Sequence, residues 1–190
     1  MSEQTWLKQI PDYIGWYFSG FTDGEGSFNV SVKKVPDHTM GWKLEASFNV
    51  SQRDRTILAL MKRHLGCGTL RERRDGVVYY EVTNIRSLYE RILPFFVKFR
   101  FFSTSKKRNF SIFREIVCRI IAGEHRTKDG FKGIMDLREQ LNEGRGRKRK
   151  YDIQNVHLKD QYNEPKRESS ETIRQTPPQS HTGIEGTEKI

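Results

Sequence analysis

Apolar side chains recur along the first part of the chain with two different periods. In residues 12–23 large apolar side chains return at helical spacings with small residues between them. This pattern predicts a helix that begins at Pro11. In residues 27–34 and 42–52 every second side chain is apolar, which predicts two strands, each with one buried and one solvent-facing side.

The following part of the chain repeats this order of elements. Residues 67–73 and 77–83 alternate around a turn at 74–76 and predict a hairpin. The basic and aromatic segment 95–103 is predicted to be a connection. Apolar stripes with capping residues predict the remaining helices: 55–65 after Asp54, 85–93 between Asn84 and a break at Pro94, 105–121, and 128–141 after Thr127. The order α-β-β-α-β-β-α, with further helices behind it, predicts an α+β fold rather than a parallel sheet.

Composition divides the chain near residue 150. Residues 1–150 hold most of the large apolar side chains and are predicted to form one domain. Residues 151–190 are rich in Gln, Ser, Thr, Glu and Pro, so we expect a polar, disordered tail. The run 144–150 is Gly-Arg-Gly-Arg-Lys-Arg-Lys, and both a solvated charge run and a phosphate contact remain open for it.

The charge balance indicates a polyanionic partner. The formal net charge is +10, and residues 151–190 contain more acidic than basic side chains, so the positive excess lies in residues 1–150. Lys and Arg in such excess favour contacts with phosphates. No long apolar run or signal peptide is visible, so we expect no membrane partner. The only cysteines, Cys67 and Cys118, are far apart and fit neither a redox pair nor a zinc cluster, so we expect a reducing, intracellular environment in the cytoplasm or an organelle.

Two carboxylates stand where the first helix gives way to the first strand. Residues 18–26 read Phe-Ser-Gly-Phe-Thr-Asp-Gly-Glu-Gly, and the glycines are predicted to stop the helix and permit a tight turn. A dinucleotide fingerprint is excluded, because it needs the strand before the glycines and the helix after them. From the residues alone, a glycine-rich helix end with solvated acids remains an alternative. The segment resembles the nine-residue signature of the LAGLIDADG homing endonucleases.

The resemblance covers roughly residues 10–145 and implies a fold and a site. The implied fold is the αββαββα domain with a four-stranded antiparallel sheet that binds DNA. The implied site has Glu25 as metal ligand and catalytic acid, helped by the carbonyl of Gly24, with Mg²⁺ as cofactor. Gln52 and Lys106 are implied to hold the water network around the scissile phosphate. Lys107 remains an alternative to Lys106, and Arg55 is a weaker candidate for the same network.

The outward-facing side of the strands is the predicted DNA-binding surface. Arg suits guanine and Asn suits adenine in the major groove, which admits a two-stranded ribbon. Each of these residues alone is also what an ordinary solvated strand presents. The predicted DNA-binding residues are Asn29, Ser31, Lys33, Ser47, Asn49, Arg71, Arg73 and Tyr79.

The function implied by the resemblance is a Mg²⁺-dependent, intron-encoded endonuclease that cleaves double-stranded DNA at a long, pseudo-palindromic site. The alternative is the same fold without cleavage, as a group I intron RNA maturase or a DNA-binding regulator. The motif occurs once, whereas cutting both strands needs two centres, so a homodimer is predicted. Its predicted interface lies on the motif helix at Trp16, Ser19, Gly20 and Asp23.

Overall fold

The computed structural model describes residues 5–38, 40–142, 150–154, 156 and 158. Within them, seven α-helices and four strands follow one another in the order predicted for the α+β fold, which is confirmed. The elements are α1 (Thr5–Lys8), α2 (Asp12–Glu25), β1 (Gly26–Lys34), β2 (Trp42–Gln52), α3 (Arg55–Leu65), β3 (Thr69–Glu72), β4 (Val78–Val82), α4 (Ile85–Ser87), a π-helical turn (Leu88–Ile92), α5 (Leu93–Lys98), α6 (Thr104–Ile121), a 3₁₀ turn (Glu124–Arg126) and α7 (Lys128–Gln140).

The four strands form one antiparallel sheet with the order β1-β2-β4-β3. The predicted bounds of β2 and α3 are confirmed, since Asp54 caps α3 and Gly66 ends it in the left-handed region at φ 65°. Strands β3 and β4 are shorter than predicted. Gly68 has φ 80° and packs against the β4 residues Tyr80 and Val82, which takes it and Cys67 out of the ladder.

The predicted tight turn at the end of the motif helix is wrong. Helix α2 continues through Gly24 and Glu25, and β1 begins at the next residue without a loop. Gly26 has φ −85° and ψ 155°, an extended backbone open to any residue, so its conformation does not require glycine. The close packing against Thr22 does require glycine, because a Cβ at position 26 would overlap the Thr22 side chain and lie 2.8 Å from the Thr22 carbonyl oxygen.

The predicted helix break at Pro94 is also wrong. The chain stays helical from Ile85 to Lys98, and a π-helical turn separates α4 from α5. In that turn the Leu93 N–H bonds to the Leu88 carbonyl, five residues back. The wider turn brings Pro94 into the first turn of α5, where a missing N–H is tolerated. The predicted connection therefore begins at Phe99 rather than Phe95.

The main core lies between the inner face of the sheet and the helices. Phe28 on β1 is at its centre, and five phenylalanine rings surround it with centroid distances of 4.9–5.9 Å. Four of the five come from α5, from the segment that follows it and from α6. The phenylalanines are Phe48, Phe96, Phe101, Phe110 and Phe113. The core thus fixes β1 against α5, α6 and the segment between them.

A second apolar cluster lies at the far end of the β1–β2 hairpin. Trp42 and Phe131 belong to it, and three residues beyond the predicted domain boundary pack against it: Tyr151, Val156 and Leu158. The Tyr151 and Trp42 rings meet edge to face at 5.0 Å. Packing therefore extends past residue 150. The run 144–149 and nearly all of the predicted tail lie outside the described residues, and the disorder predicted for the tail stays a prediction.

Two structural features bear on the other sequence predictions. Cys67 and Cys118 are both free thiols. No helix of the described part of the chain is long and apolar enough to cross a membrane.

Two truncations test where the packed chain ends. Ending the chain after Lys150 should lower the melting temperature by about 5 °C, because the apolar surface buried by Tyr151, Val156 and Leu158 is lost. Ending it after Leu158 should change the melting temperature by less than about 1 °C, since residues 159–190 contain few apolar side chains. Calorimetry on the three chains measures both shifts. Equal melting temperatures for the two truncated chains would contradict the packing role of residues 151–158.

Candidate nucleic-acid cleavage site

Asp23 joins the end of helix α2 to the beginning of helix α6. Its Oδ2 accepts hydrogen bonds from the backbone N–H groups of Phe102 at 3.3 Å and Ser103 at 3.0 Å, and its Oδ1 accepts one from the Ser103 hydroxyl. Partial burial alone would raise the pKa of Asp23, but these hydrogen bonds and the charge of Lys106 outweigh it and hold the pKa below its usual value. Asp23 is therefore a structural carboxylate that is already bound on both oxygens.

Lys106 lies in the first turn of α6 and reaches back to the motif. Ser103 caps this helix, accepting from the Lys106 N–H at 3.3 Å. The half-buried Lys106 ammonium group donates to the carbonyl of Gly26. The neighbouring Lys107 is exposed. Of the two candidate lysines, Lys106 is the one that the fold brings to the motif, although its role in chemistry stays a prediction.

Glu25 is the last residue of α2, and its side chain is exposed. Within the described part of the chain its carboxylate makes no hydrogen bond or ion pair. Gly24 is exposed beside it, and a Cβ there would meet nothing within 4 Å. One free carboxylate, together with the last carbonyls of a helix, which have no intrahelical partner, suits a hard cation that keeps most of its waters, as Mg²⁺ does. No cluster of three or more His, Cys, Asp or Glu side chains occurs among the described residues, so a closed protein cage is not what these residues would form.

Gln52 lies at the same end of the sheet as Glu25. Gly26 pairs with Val50, so the last residue of β2 stands level with the end of the motif helix. By strand alternation the Gln52 side chain is on the helix-facing side, with Phe48 and Val50. Its Oε1 accepts a hydrogen bond from the Arg53 N–H at 2.8 Å. The weaker candidate Arg55 forms an ion pair with Glu72 at 3.7 Å.

The strand register brings most of the predicted DNA-binding residues together on one face. Asn29 pairs with Ser47, Ser31 with Glu45, Lys33 with Lys43 and Arg71 with Tyr79. Asn49 stands between Ser27 and Glu81. All of these are exposed or half-buried, whereas the alternating residues are buried on the other side or lie at the sheet edge. Contact of each side chain with DNA stays a prediction.

Two parts of this face carry internal ion pairs. Glu45 pairs with Lys33 and, at 3.2 Å, with Lys43. The hydrogen bond from Lys33 is the largest cause of a lowered Glu45 pKa. Arg73, one residue beyond β3, donates to the Tyr79 hydroxyl at 2.9 Å and pairs with Asp75 at 3.1 Å. The charge of Lys33 and Arg73 is thus partly balanced within the chain, while Arg71 has no such partner among the described residues.

The predicted dimer face on the motif helix needs one correction. Trp16 is 45% exposed and Gly20 has open space around it, as predicted. Ser19 is only 2% exposed and donates to the Arg100 carbonyl at 3.2 Å, so it does not belong to an exposed face. Asp23 is half-buried and bound to the loop before α6.

Sequence reasoning missed three aromatic residues of this surface. Tyr13 is 75% exposed, Tyr17 is 55% exposed and Phe102 is 78% exposed. The two tyrosines could have been found from the helical spacing, since they lie three residues before and one residue after Trp16. Phe102 could not, because only the fold brings it to within 6.1 Å of the Trp16 ring.

A scan against protein-family models matches residues 18–117 to the model described as LAGLIDADG endonuclease. The chain belongs to this family. The matched range begins at the first residue of the nine-residue motif and ends within α6. It therefore includes Glu25, Gln52 and Lys106 as well as the whole sheet.

Similar proteins include a fungal relative and two solved structures. A probable intron-encoded endonuclease 2 of Neurospora crassa is 33% identical over 143 residues, which cover 73% of this chain and 30% of that protein. An archaeal intron-encoded homing endonuclease, I-Vdi141I, solved in complex with DNA, has a TM-score of 0.71 and 35% identity over 76% of this chain and 92% of that one. I-SmaMI, bound to an uncleaved DNA target in the presence of calcium ions, has a TM-score of 0.65 and 30% identity over 70% of this chain and 46% of that one.

The chain covers different shares of these three proteins. The chain spans less than a third of the Neurospora protein. It spans nearly all of the I-Vdi141I chain and just under half of the I-SmaMI chain.

Replacing Asp23 by Asn tests the hydrogen bonds that join the LAGLIDADG motif to Phe102 and Ser103. The amide removes the charge that Ser103 and Phe102 donate to, so the melting temperature at pH 7 should fall by about 3–6 °C. Asp23→Asn is best compared with Asp12→Asn, which removes an exposed carboxylate that pairs with Lys98 at 3.1 Å.

The pH dependence of this loss has a definite sign. The folded pKa of Asp23 lies below its usual value, so its stabilisation is present above the unfolded pKa of about 3.9 and disappears as the pH falls through the folded pKa. The gap in melting temperature between wild type and Asp23→Asn should be constant from pH 7 to about pH 5 and close toward about pH 2. A gap that widens on acidification would show that the stability does not depend on the charge of Asp23.

Proposed function

We propose that the chain is a site-specific double-stranded DNA endonuclease. The observation that carries the proposal is the exposed carboxylate of Glu25, unpaired within the described residues and one residue before Gly26, whose carbonyl accepts from the Lys106 ammonium group. A nuclease needs a carboxylate at the scissile phosphate beside groups that bind DNA. The relatives named as intron-encoded endonucleases and the neighbour complexed with DNA support this function.

The proposal includes a divalent metal, Mg²⁺, at Glu25 and the carbonyl of Gly24. When bound, the metal neutralises charge at the scissile phosphate and lowers the pKa of a water. The chemistry of the donors supports a hard cation, and the calcium ions named for the I-SmaMI complex are consistent with one. Asp23 does not take part in binding, because its oxygens already accept hydrogen bonds from Ser103 and Phe102.

The chain's own residues have separate roles in this proposal. Lys106 brings a positive charge to the junction of helix and strand, where it attracts the phosphate and polarises nearby water. Gln52 has an amide N–H₂ group that donates to the same waters while its Oε1 accepts from Arg53. Both side chains orient water and phosphate, and neither needs to gain or lose a proton.

The sheet face selects the target in this proposal. Arg71 and Asn49 are suited to base edges in the major groove. The exposed Lys and Arg residues supply the sequence-independent contacts to phosphates that dominate affinity. The side chains extend away from Glu25 along β1 and β2, which supports a long target with the cleaved bond near its centre.

A homodimer completes the proposed enzyme. One Glu25 serves one strand, so a concerted double-strand break needs two copies related by a two-fold axis, and this symmetry fits a pseudo-palindromic target. The exposed Tyr13, Trp16, Tyr17, Gly20 and Phe102 offer the surface for such pairing. The chain matches under half of the longer I-SmaMI chain, which supports the need for a second copy.

The rival function is binding without cleavage, as a group I intron RNA maturase or a DNA-binding regulator. A free acid at Glu25, next to the Gly26 carbonyl that Lys106 binds, favours the enzyme, because a binding module has no use for an unpaired carboxylate at a phosphate. Cleavage assays decide between the two functions.

Glu25→Gln should fold and bind DNA but not cut it. The variant keeps the size of the side chain and the phosphate contacts of the sheet, so affinity should stay within about threefold while cleavage in Mg²⁺ falls by about 100-fold or more. The substrate is the uninterrupted form of the host gene around the intron insertion point. Glu90→Gln, at an exposed site on the π-helical turn, is the matched control and should cut normally. Full cleavage by Glu25→Gln would remove Glu25 from the site.

Gly20→Leu should weaken the dimer and lower cleavage with it. Open space surrounds Gly20 within the protomer, so the leucine should not disturb the monomer but should hold the two helices apart. Overpacking of this kind should weaken self-association by roughly 10–100-fold. Ala59→Leu, an exposed change on α3, is the control. Sedimentation velocity measures the dimer, and a monomer that still makes concerted double-strand breaks would refute the model.

A further inference from the structure

Strand β1 is an edge strand of the sheet, since only β2 pairs with it. In an antiparallel pair, alternate residues turn their backbone groups away from the partner, so an edge strand presents a row of carbonyls outside the sheet. Three such carbonyls of β1, two residues apart, accept hydrogen bonds from side chains. They are Gly26 from Lys106, Phe28 from Asn142 Nδ2 at 2.8 Å and Val30 from Arg138 Nε at 2.9 Å. We call Asn142 and Arg138 the edge clamp.

Among the described residues, Arg138 is the only charged side chain that is buried. It is 4% exposed, and in addition to Val30 it binds the Tyr151 carbonyl at 2.9 Å and the Glu139 carboxylate at 3.0 Å through Nη1. Burying a guanidinium group is costly unless its donors are satisfied. Its fixed fork therefore holds β1, helix α7 and the chain at Tyr151 in one arrangement, which a flexible surface contact would not do.

Asn142 is held in place by its backbone. Its φ is 56°, and no other non-glycine residue of the described chain has a positive φ. Its N–H donates to Asn109 Oδ1 on α6 at 3.0 Å. Asparagine is one of the few residues that tolerate this conformation after a helix end. The backbone thus directs the side-chain amide to the Phe28 carbonyl.

The clamped stretch also carries part of the proposed DNA-reading face. Asn29 lies between the two clamped residues, Ser31 directly follows them, and both face outward. The proposed cleavage centre is at the beginning of the same strand, and from Gly26 to Val30 the strand spans about 13 Å. Side chains that read bases must be held within about 0.5 Å of their place, so β1 has to keep a fixed position relative to the helices that carry Lys106.

We propose that Arg138 and Asn142 are positioning residues for target selection. By holding the free edge of β1, they fix Asn29 and Ser31 relative to the cleavage centre at Glu25, although neither touches DNA or metal. This inference rests on the proposed function. It assigns specificity to residues that bind the backbone edge of the strand rather than to the side chains that would read bases.

The test uses two variants and a control. Asn142→Gly keeps the positive φ and removes only the amide, while Arg138→Met keeps much of the side-chain length and removes both donors and the charge. Lys132→Met removes an exposed charge from the same helix. Hydrogen exchange of residues 27–33 and binding of the preferred target, chosen by selection from random DNA, are measured beside binding to single-base-pair variants of that target.

Both clamp variants should exchange the β1 amides several-fold faster than wild type and Lys132→Met. Their discrimination against single-base-pair changes should fall by about tenfold, with binding to random DNA unchanged. Unchanged exchange, or faster exchange with full discrimination, overturns the positioning role. If wild type selects a target but does not cleave it, the nuclease proposal fails while the clamp is still tested by binding. If wild type selects no target, both fail.

Discussion

The close approach of Gly26 to Thr22 makes one rigid piece of a helix and a strand. A side chain at Gly26 would overlap Thr22, so only glycine lets β1 leave the end of α2 without an intervening loop. Because no loop lies between them, the direction of the helix sets the direction of the strand. Glu25 stands at this junction, and its position is therefore fixed by the same contact that joins the two layers of the domain.

Both apolar packing and hydrogen bonds stabilise this junction of helix and strand. Phe28, two residues into β1, is buried among five other phenylalanines, and each fully buried ring contributes about 1.5–3 kcal/mol. The hydrogen bonds from Ser103 to Asp23 and from Lys106 to Gly26 are individually weaker but directional. Burial brings the start of α6 to the motif, and the hydrogen bonds set its orientation. A charged lysine can stand beside the motif carboxylates for this reason.

Local signals in the sequence were enough to predict much of the fold. The bounds of β2 and α3 follow from strict alternation, from Asp54 as a cap and from Gly66 as a stop, all of which act within a few residues. The resemblance to the LAGLIDADG endonucleases implied Glu25 and Lys106, and the structure brings Lys106 to the Gly26 carbonyl. The errors concern contacts that a pattern of residue types does not reveal. The glycine at 26 serves a close approach rather than a turn, and Ser19 is buried because Arg100, far along the chain, accepts its hydrogen bond. The helix continues past Pro94 because the π-helical turn before it brings Pro94 into the first turn of α5, where a missing N–H is tolerated.

The motif helix contacts the core on one side, exposes aromatic side chains on the other and carries Glu25 at its end. One side packs inward, where Gly15 has room for no side chain against the Phe99 ring and Phe18 is fully buried. The opposite side exposes Tyr13, Trp16 and Tyr17, and the end of the helix carries Glu25. A helix of 14 residues is short enough to move as one body. A shift of its exposed side against a partner would therefore move the carboxylate by a similar distance, so in the proposed homodimer the contacts between the two helices and the position of Glu25 cannot be adjusted independently.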